Sequence, residues 1–334
     1  MKRLAVSLIA GSVFAVAYAS EHPCEKCHAA EVRSQPATSM AHALQRAADS
    51  AILNEHPSLR MTINGYTYSF RRDGETLRYS VEGGGRTFST VIPWAFGLGS
   101  AGQTYLYEYS GAWYEARASF YSAIQGLDVT IGHRNLPAES IEEAAGRRLQ
   151  KSEAKRCFGC HAGGSLAAVT PGVQCERCHE NALQHARAFT GHGETTTTPE
   201  NLGQLDSEQM ADFCGQCHRT WQEIAANGPH DINNVRLQPY RLVSSKCYES
   251  SLLDKRLSCV ACHNPHREVE RAVQFCNAKC RSCHQPGLPN VRTCSKADRD
   301  CVGCHMPKVE LPEAHFSFTD HRIRIVRAGE PYPN

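Results

Sequence analysis

The sequence has little of what marks membrane-spanning or nucleic-acid-binding proteins. Beyond residue 19 no stretch comes near the roughly 20 consecutive apolar residues that a bilayer span needs. Neither sign of charge dominates, since 36 Lys and Arg face 34 Asp and Glu, and the basic residues form no block or stripe. The sequence therefore predicts no membrane span after residue 19 and no nucleic-acid partner.

The N-terminus is the exception to this shortage of apolar runs. A basic start over residues 1–3 precedes an apolar run over 4–17, and the small-x-small pattern over 17–19 fits a cleavage site. An uncleaved membrane anchor is the alternative, but the run is short for a span, and no cysteine follows to accept a lipid. We expect a signal peptide cleaved near Ala19, with the mature chain in the periplasm or otherwise outside the cytoplasm.

Cysteine, in contrast, is abundant and regularly arranged. Of the 17 cysteines, 14 form seven pairs with C-x-x-C spacing, and a histidine directly follows each pair. The pairs are Cys24/Cys27, Cys157/Cys160, Cys175/Cys178, Cys214/Cys217, Cys259/Cys262, Cys280/Cys283 and Cys301/Cys304. The histidines are His28, His161, His179, His218, His263, His284 and His305.

The histidine after every pair separates this pattern from two alternatives. Disulfide-rich secreted domains and zinc ribbons also contain closely spaced cysteines, but neither needs a histidine directly after the second one. C-x-x-C-H is the attachment signature of c-type haem. Two thiols on one turn of chain add to the vinyl groups on one porphyrin edge, and the next histidine becomes an axial ligand of the iron. The sequence therefore predicts metal binding, as iron in seven covalently attached haem c groups.

The motifs are unevenly spaced along the chain. The first stands alone, about 130 residues pass before the second, and the other six lie between Cys157 and His305. Cys259, Cys280 and Cys301 recur at an interval of 21 residues, which is a local repeat. Such short segments hold a helix, a turn and a haem, so we expect neighbouring haems to be close.

The long interval after the first motif has the pattern of β-strands. Aromatic residues alternate over 66–70 and 105–109, and Asp73-Gly74 is a hairpin-turn signal. We predict an antiparallel meander of about five or six strands. Its aromatic stripe is interpreted as the packed face, and a substrate-binding aromatic surface is the alternative.

These patterns divide the chain into four segments. They are a signal peptide over 1–19, a single-haem segment over 20–55, a β-rich segment over 56–135 and a six-haem domain over 136–334. A helix is predicted over 139–155. The predicted fold class is a mainly α and irregular multihaem array with an inserted antiparallel β-rich segment and little regular secondary structure around the haems.

Ten histidines lie outside the motifs, enough to give every iron a second protein ligand. Seven are candidates for that role: His42, His133, His185, His230, His266, His315 and His321. His192 competes with His230, Met40 is a weaker alternative, and His22 and His56 are expected at the surface. Ligation by two histidines predicts low reduction potentials. Of the three remaining cysteines, Cys247, Cys276 and Cys294, the first and last are expected to form a disulfide.

Three runs of residues carry a family resemblance. They are Cys175-Glu176-Arg177-Cys178-His179 with His185, Ser258-Cys259-Val260-Ala261-Cys262-His263-Asn264-Pro265-His266, and Cys301-Val302-Gly303-Cys304-His305-Met306-Pro307-Lys308 followed by His315 and Phe318-Thr319-Asp320-His321. They resemble extracytoplasmic multihaem cytochromes related to the cytochrome c five-five-four family, over most of the mature chain and most strongly after Cys157. The resemblance implies as second ligands His185, His266, His315 and His321. Relatives often carry Gly-Pro-Gly after the motif at His179, where this chain has Glu180-Asn181-Ala182-Leu183.

Three functions fit these features. The surplus of histidine favours an electron carrier in which no substrate reaches an iron, so no catalytic residue is assigned. The alternatives are an oxidoreductase acting on a small nitrogen or oxyanion species at one five-coordinate haem, and a subunit of a polymeric haem wire. No C-x-x-C-K motif of the kind found in pentahaem nitrite reductases is present. Expected partners are a quinol dehydrogenase, another cytochrome or a terminal reductase. Peripheral membrane contact and the oligomeric state stay open.

Overall fold

The computed structural model describes residues 22–133, 138–189, 198–251, 257–287, 294 and 299–333. The helices are α1 (Glu25–Ser34), α2 (Ala51–Glu55), α3 (Ile141–Ala145), α4 (Lys151–His161), α5 (Cys175–Cys178), α6 (Ala182–Phe189), α7 (Ser207–His218), α8 (Trp221–Asn227), α9 (Gln238–Val243), α10 (Lys246–Ser251), α11 (Cys259–Cys262), α12 (Val273–Arg281) and α13 (Cys301–His305). The strands are β1 (Leu44–Arg46), β2 (Ser58–Ile63), β3 (Tyr66–Asp73), β4 (Thr76–Gly83), β5 (Arg86–Ile92), β6 (Trp94–Gly99), β7 (Gly102–Tyr109), β8 (Ala112–Ala116), β9 (Ala118–Tyr121), β10 (Gly126–Val129), β11 (Gly146–Arg148), β12 (Ala162–Ser165), β13 (Ala168–Pro171), β14 (Lys308–Leu311) and β15 (Phe316–Thr319).

The predicted fold class is wrong, because the chain is β-rich and not mainly α and irregular. The described residues form four antiparallel sheets, of seven, four, two and two strands. β1 and β11 join the seven-stranded sheet from outside the predicted β segment, by pairing with β6 and β8. The hairpins β12–β13 and β14–β15 follow C-x-x-C-H motifs. Short backbone-paired hairpins therefore occur where the sequence predicted irregular chain.

Strands β2 to β5 form a sequential meander that follows its turn residues. Asn64 and Gly65 at the first turn, and Gly84 and Gly85 at the third, all have positive φ angles. Two successive residues of this kind match the right-handed twist of the flanking strands. The meander packs against the seven-stranded sheet, and nine strands (β2 to β10) fall where the sequence predicted about five or six.

The aromatic stripe fills the core between these two sheets. Tyr68, Phe70, Tyr79, Tyr105 and Tyr107 are each exposed by 1% or less. Phe70 stacks on Tyr79 at 4.7 Å and meets Tyr105 at 4.5 Å between ring centroids. The buried Tyr79 hydroxyl donates to the Ala145 carbonyl oxygen at 2.8 Å. The stripe is therefore a packed face, as the sequence predicted.

The helix predicted over 139–155 is wrong, because the chain there runs through α3, β11 and α4. Gly146 separates the two helices, and a Cβ at that position would collide with the carbonyl of Glu115 on β8. Glycine therefore allows β11 to approach β8 closely. Gln150 then begins α4 in a capping box with Glu153.

A second core joins α4, which contains the second motif, to the seven-stranded sheet. Phe158, between the two motif cysteines, is 4% exposed. Its ring contacts Trp113 at 5.1 Å, Phe96 at 5.2 Å and Trp94 at 6.0 Å, all edge-on. The seven-stranded sheet and the four-stranded meander β2–β5, together called the β unit, thus contact the second motif through Phe158. In the described part of the chain, no helix has the length and apolar character needed to cross a membrane.

Candidate functional site

The C-x-x-C-H motifs meet at one cavity of about 4690 Å³. All seven contribute lining residues: Cys24, His28, Cys160, His161, Cys175, Cys178, His179, Cys214, Cys217, His218, Cys259, Cys262, His263, Cys280, Cys283, His284, Cys301, Cys304 and His305. Ordinary ligand pockets measure about 300–1,000 Å³, so this space suits several cofactor-sized molecules. Motifs that are far apart in the chain thus share one chamber.

Two motif cysteines, Cys27 and Cys157, do not line this cavity. Cys27 is predicted to bind haem together with Cys24, and the structure places it exposed on α1, a helix that buries none of its residues. Cys157 is only partly exposed and packs against the second core beside Phe158. The first motif therefore presents Cys24 and His28 to the cavity and leaves its second thiol at the surface.

Each motif places its reactive groups with a helical turn. The backbone N–H of His28, His179, His263 or His284 donates to the carbonyl oxygen of the first cysteine of its own motif, at 2.8 to 3.0 Å. Residues three apart in such a turn lie on the same face. Where both thiols of a pair line the cavity, they can therefore reach one edge of a flat molecule.

Three histidines at the cavity are held through their Nδ1 atoms. His161 Nδ1 donates to the Ala43 carbonyl oxygen at 3.0 Å, His305 Nδ1 to Arg324 at 2.8 Å, and His321 Nδ1 to Thr319 at 3.0 Å. A carbonyl only accepts, so in the neutral form of these rings the proton is on Nδ1 and the lone pair is on Nε2. Metal-ligating histidines have this arrangement, which fixes the ring and raises its basicity.

Two pairs of imidazole rings from cavity-lining histidines lie close together. His179 and His266 are 6.0 Å apart between ring centroids and nearly parallel, at 9°. His263 and His321 are 6.1 Å apart at 33°. Two imidazoles on opposite sides of one metal atom, each about 2 Å from it, have centroids about 6 Å apart. Both spacings therefore match ligation of one iron by two histidines.

Burial favours the neutral form of His179, His263 and His321, which is the form that ligates. It lowers the pKa of His179 and of His263, and burial together with neighbouring His263 lowers the pKa of His321 to about 4. Burial also lowers the pKa of His218, with smaller contributions from nearby His161 and His263. The imidazoles are thus close enough to influence one another.

The candidate second ligands divide into two groups. Among the cavity-lining residues are His185, His266 and His321, whereas His42, His133, His230 and His315 do not line it. His133 Nε2 lies 3.0 Å from Glu115 Oε2, and His315 Nε2 lies 2.7 Å from Asp128 Oδ2. In this structure, carboxylates on β8 and β10 therefore contact the nitrogens with which these two histidines would ligate an iron. His192 lies outside the described residues.

Two further expectations concern the remaining cysteines and metal binding. Cys247 lies near Cys262 and Cys283, and its disulfide with Cys294 stays a prediction. Among the described residues no group of three or more His, Cys, Asp or Glu side chains could hold a metal ion. The prediction of metal binding is therefore wrong for an ion held by protein side chains alone, because the motif residues line a wide chamber instead of converging.

The charge of the cavity wall was not foreseen from the near-neutral sequence. Basic residues outnumber acidic ones by eleven to six. The basic residues are Arg177, Lys246, Arg267, Arg271, Lys279, Arg281, Arg299, Lys308, Arg322, Arg324 and Arg327. Such a wall favours an occupant with carboxylates. Haem fits the lining because it offers vinyl groups to paired thiols, iron to facing imidazoles and propionates to arginines.

Neither a family, a curated protein nor a solved structure matches this chain. The site therefore rests on the motif chemistry and the geometry of the chain itself.

Proposed function

We propose that the chain is a heptahaem c-type cytochrome that transfers electrons outside the cytoplasm. The observation that carries the proposal is that residues of all seven C-x-x-C-H motifs line one cavity. The resemblance to the cytochrome c five-five-four family supports the same assignment. The N-terminal signal-peptide pattern supports a periplasmic location.

The motifs and the neighbouring imidazole rings indicate which residues would bind the haems. Each cysteine pair would form the thioether bonds, and the histidine after it would be the first axial ligand. At the first motif this requires the exposed Cys27 to turn toward the cavity that Cys24 lines. His266 would ligate opposite His179, and His321 opposite His263, as their ring spacings indicate. When bound, haem supplies a one-electron couple between ferric and ferrous iron.

Neighbouring residues orient the histidine rings and balance the charge within the cavity. Carbonyl groups of Ala43 and Arg324 fix the rings of His161 and His305. Two facing histidines leave no open position for a substrate, so at these two sites the arrangement suits electron transfer better than catalysis. The excess of arginine and lysine offsets propionate charge within the cavity.

Electron transfer requires partners, and the proposal names their class. We propose protein partners, namely a quinol dehydrogenase, another cytochrome or a terminal reductase. Packing all seven motifs around one cavity lets an electron enter at one motif and leave at another.

Haem content tests the proposal. In protein matured with a c-type haem-attachment system, replacing both Cys259 and Cys262 with serine should remove one covalent haem per chain. Cys247→Ser is the matched control and should change nothing, because Cys247 lies in the same cavity but outside any motif. Covalent haem is measured by pyridine haemochrome absorbance against protein concentration.

Wild-type protein without covalent haem would refute the assignment. Equal haem content in the double-serine variant and the wild type would also refute it. Near-stoichiometric cyanide binding to one wild-type haem, with a high-spin ferric signal, would instead favour the oxidoreductase alternative.

A further inference from the structure

Residues 320–333, near the C-terminus, form a strap along the cavity wall. They have no regular secondary structure, yet they contact two different motifs. His321 faces His263 of the fifth motif at 6.1 Å, and the Arg324 carbonyl oxygen accepts from His305 of the seventh at 2.8 Å. The alignment of this strap therefore affects two candidate haem sites.

A buried ion pair holds the strap. Arg241 on α9 and Asp320 are both fully buried. Arg241 Nε donates to Asp320 Oδ1 at 2.8 Å, and Nη2 donates to Oδ2 at 2.9 Å. The remaining Nη1 donates to the Pro333 carbonyl oxygen at 2.7 Å. One guanidinium therefore binds both ends of the strap.

Further contacts from the same region fix the strap between these ends. The Ser245 hydroxyl donates to the His321 carbonyl oxygen at 3.2 Å and accepts from Ile323 N at 2.8 Å. The Tyr332 ring lies 4.6 Å from the Arg241 guanidinium carbon, and its hydroxyl donates to Asn234 Oδ1 at 2.7 Å. Arg324 Nη1 also donates to Asp320 Oδ2, at 2.6 Å.

The placement of Asp320 gives this pair a consequence beyond stability. Asp320 directly precedes His321, and neighbouring side chains of an extended chain point to opposite sides. While Arg241 holds Asp320, the ring of His321 faces the cavity. A shift of one residue would present Arg322 or Asp320 in its place. Buried ion pairs add little net stability but can specify a register.

We propose that the Arg241–Asp320 pair is a positioning element that sets the register of the C-terminal strap, so that His321 faces His263 and Arg324 orients His305. This inference rests on the proposed haem function. Neither residue is a ligand, and both act through the strap.

Haem spin state tests the proposal. Asp320→Asn keeps the side-chain shape but removes the charge, and should convert one haem, the one that His321 would ligate, from low-spin to high-spin. His321→Ala provides the reference spectrum for a haem that lacks His321 as a ligand. Electron paramagnetic resonance reports the spin state. The covalent haem count and thermal unfolding show whether each variant still attaches its haems and folds. Arg86→Met is the matched control, since its pair with Glu142 is exposed and lies on the β unit.

A double variant distinguishes loss of positioning from misfolding. Arg241→Met with Asp320→Leu removes both fully buried charges. Arg324 loses its contact with Asp320 but is partly exposed and keeps its hydrogen bond to the Arg322 carbonyl oxygen. The double variant should fold, keep all its covalent haems and still show the high-spin signal of His321→Ala. A double variant with the wild-type spin state, where His321→Ala does show additional high-spin haem, would overturn the positioning role. Wild-type protein without covalent haem would overturn the haem function itself, so the two failures are distinguishable.

Discussion

Replacing His266 with alanine is expected to convert one haem from low-spin to high-spin and to open it to cyanide. His266 faces the motif histidine His179 at 6.0 Å with nearly parallel rings, so its loss removes one of two axial ligands. Electron paramagnetic resonance and a cyanide titration measure the effect, with binding expected near one equivalent per chain. The number of covalent haems should not change, because attachment depends on the motif cysteines.

His315→Ala is the matched control. The family resemblance implies both histidines as ligands, but the structure places His315 Nε2 on Asp128 Oδ2 at 2.7 Å and its ring against Tyr121 at 4.9 Å. This variant should keep the wild-type spin state. High-spin haem in His315→Ala, with none in His266→Ala, would show that the ligands follow the family pattern and not the observed geometry.

Phe158→Ala is expected to lower the free energy of unfolding by about 3–5 kcal/mol. Phe158 is 4% exposed and packs against Trp113 and Phe96, so its loss leaves a cavity between α4 and the seven-stranded sheet. Because Phe158 lies inside the second motif, the same variant should loosen that motif and slow haem attachment there. Urea unfolding followed by far-ultraviolet circular dichroism measures stability, and peptide mass spectrometry measures attachment.

A surface aromatic residue supplies the comparison for this variant. Trp221 is 44% exposed at the start of α8 and does not line the cavity. Trp221→Ala should cost less than about 1 kcal/mol. If Phe158→Ala and Trp221→Ala lowered the free energy of unfolding by the same amount, the second core would not be what joins the second motif to the β unit.

Local chemistry made part of this structure predictable from the sequence. Asp73-Gly74 marks a real hairpin turn, and alternation over 66–70 places Tyr68 and Phe70 in the core. Both features depend on near neighbours, which a sequence displays directly. The strands β1 and β11 were missed because three-residue strands have too little pattern, and their pairing is decided by distant β6 and β8.

The predicted second axial ligands of the irons show that contacts with distant residues also limit prediction at the site. His133 was expected at a haem, but the sheet brings Glu115 to its Nε2, and Glu115 is itself set opposite Arg147 by the register of β8 and β11. No local pattern reveals such a partner. His266 and His321, in contrast, follow closely on motif or family-like runs, and both line the cavity. The basic cavity wall also arises only on folding, because its arginines are scattered along the chain.

The first motif shows that spacing alone does not place a thiol. Cys24 and Cys27 have the same spacing as every other pair, yet only Cys24 lines the cavity and Cys27 is exposed. The spacing determines how two thiols lie relative to each other, whereas the packing of α1 against the rest of the chain decides which of them faces the chamber.

Intact-protein mass after thiol alkylation under denaturing conditions tests the central claim most directly. Seven covalent haems would consume 14 of the 17 cysteines. With the protein reduced before alkylation, the account therefore predicts seven haem additions and three alkylated residues, namely Cys247, Cys276 and Cys294. Fewer haems, together with alkylation of motif cysteines in fully matured protein, would contradict it.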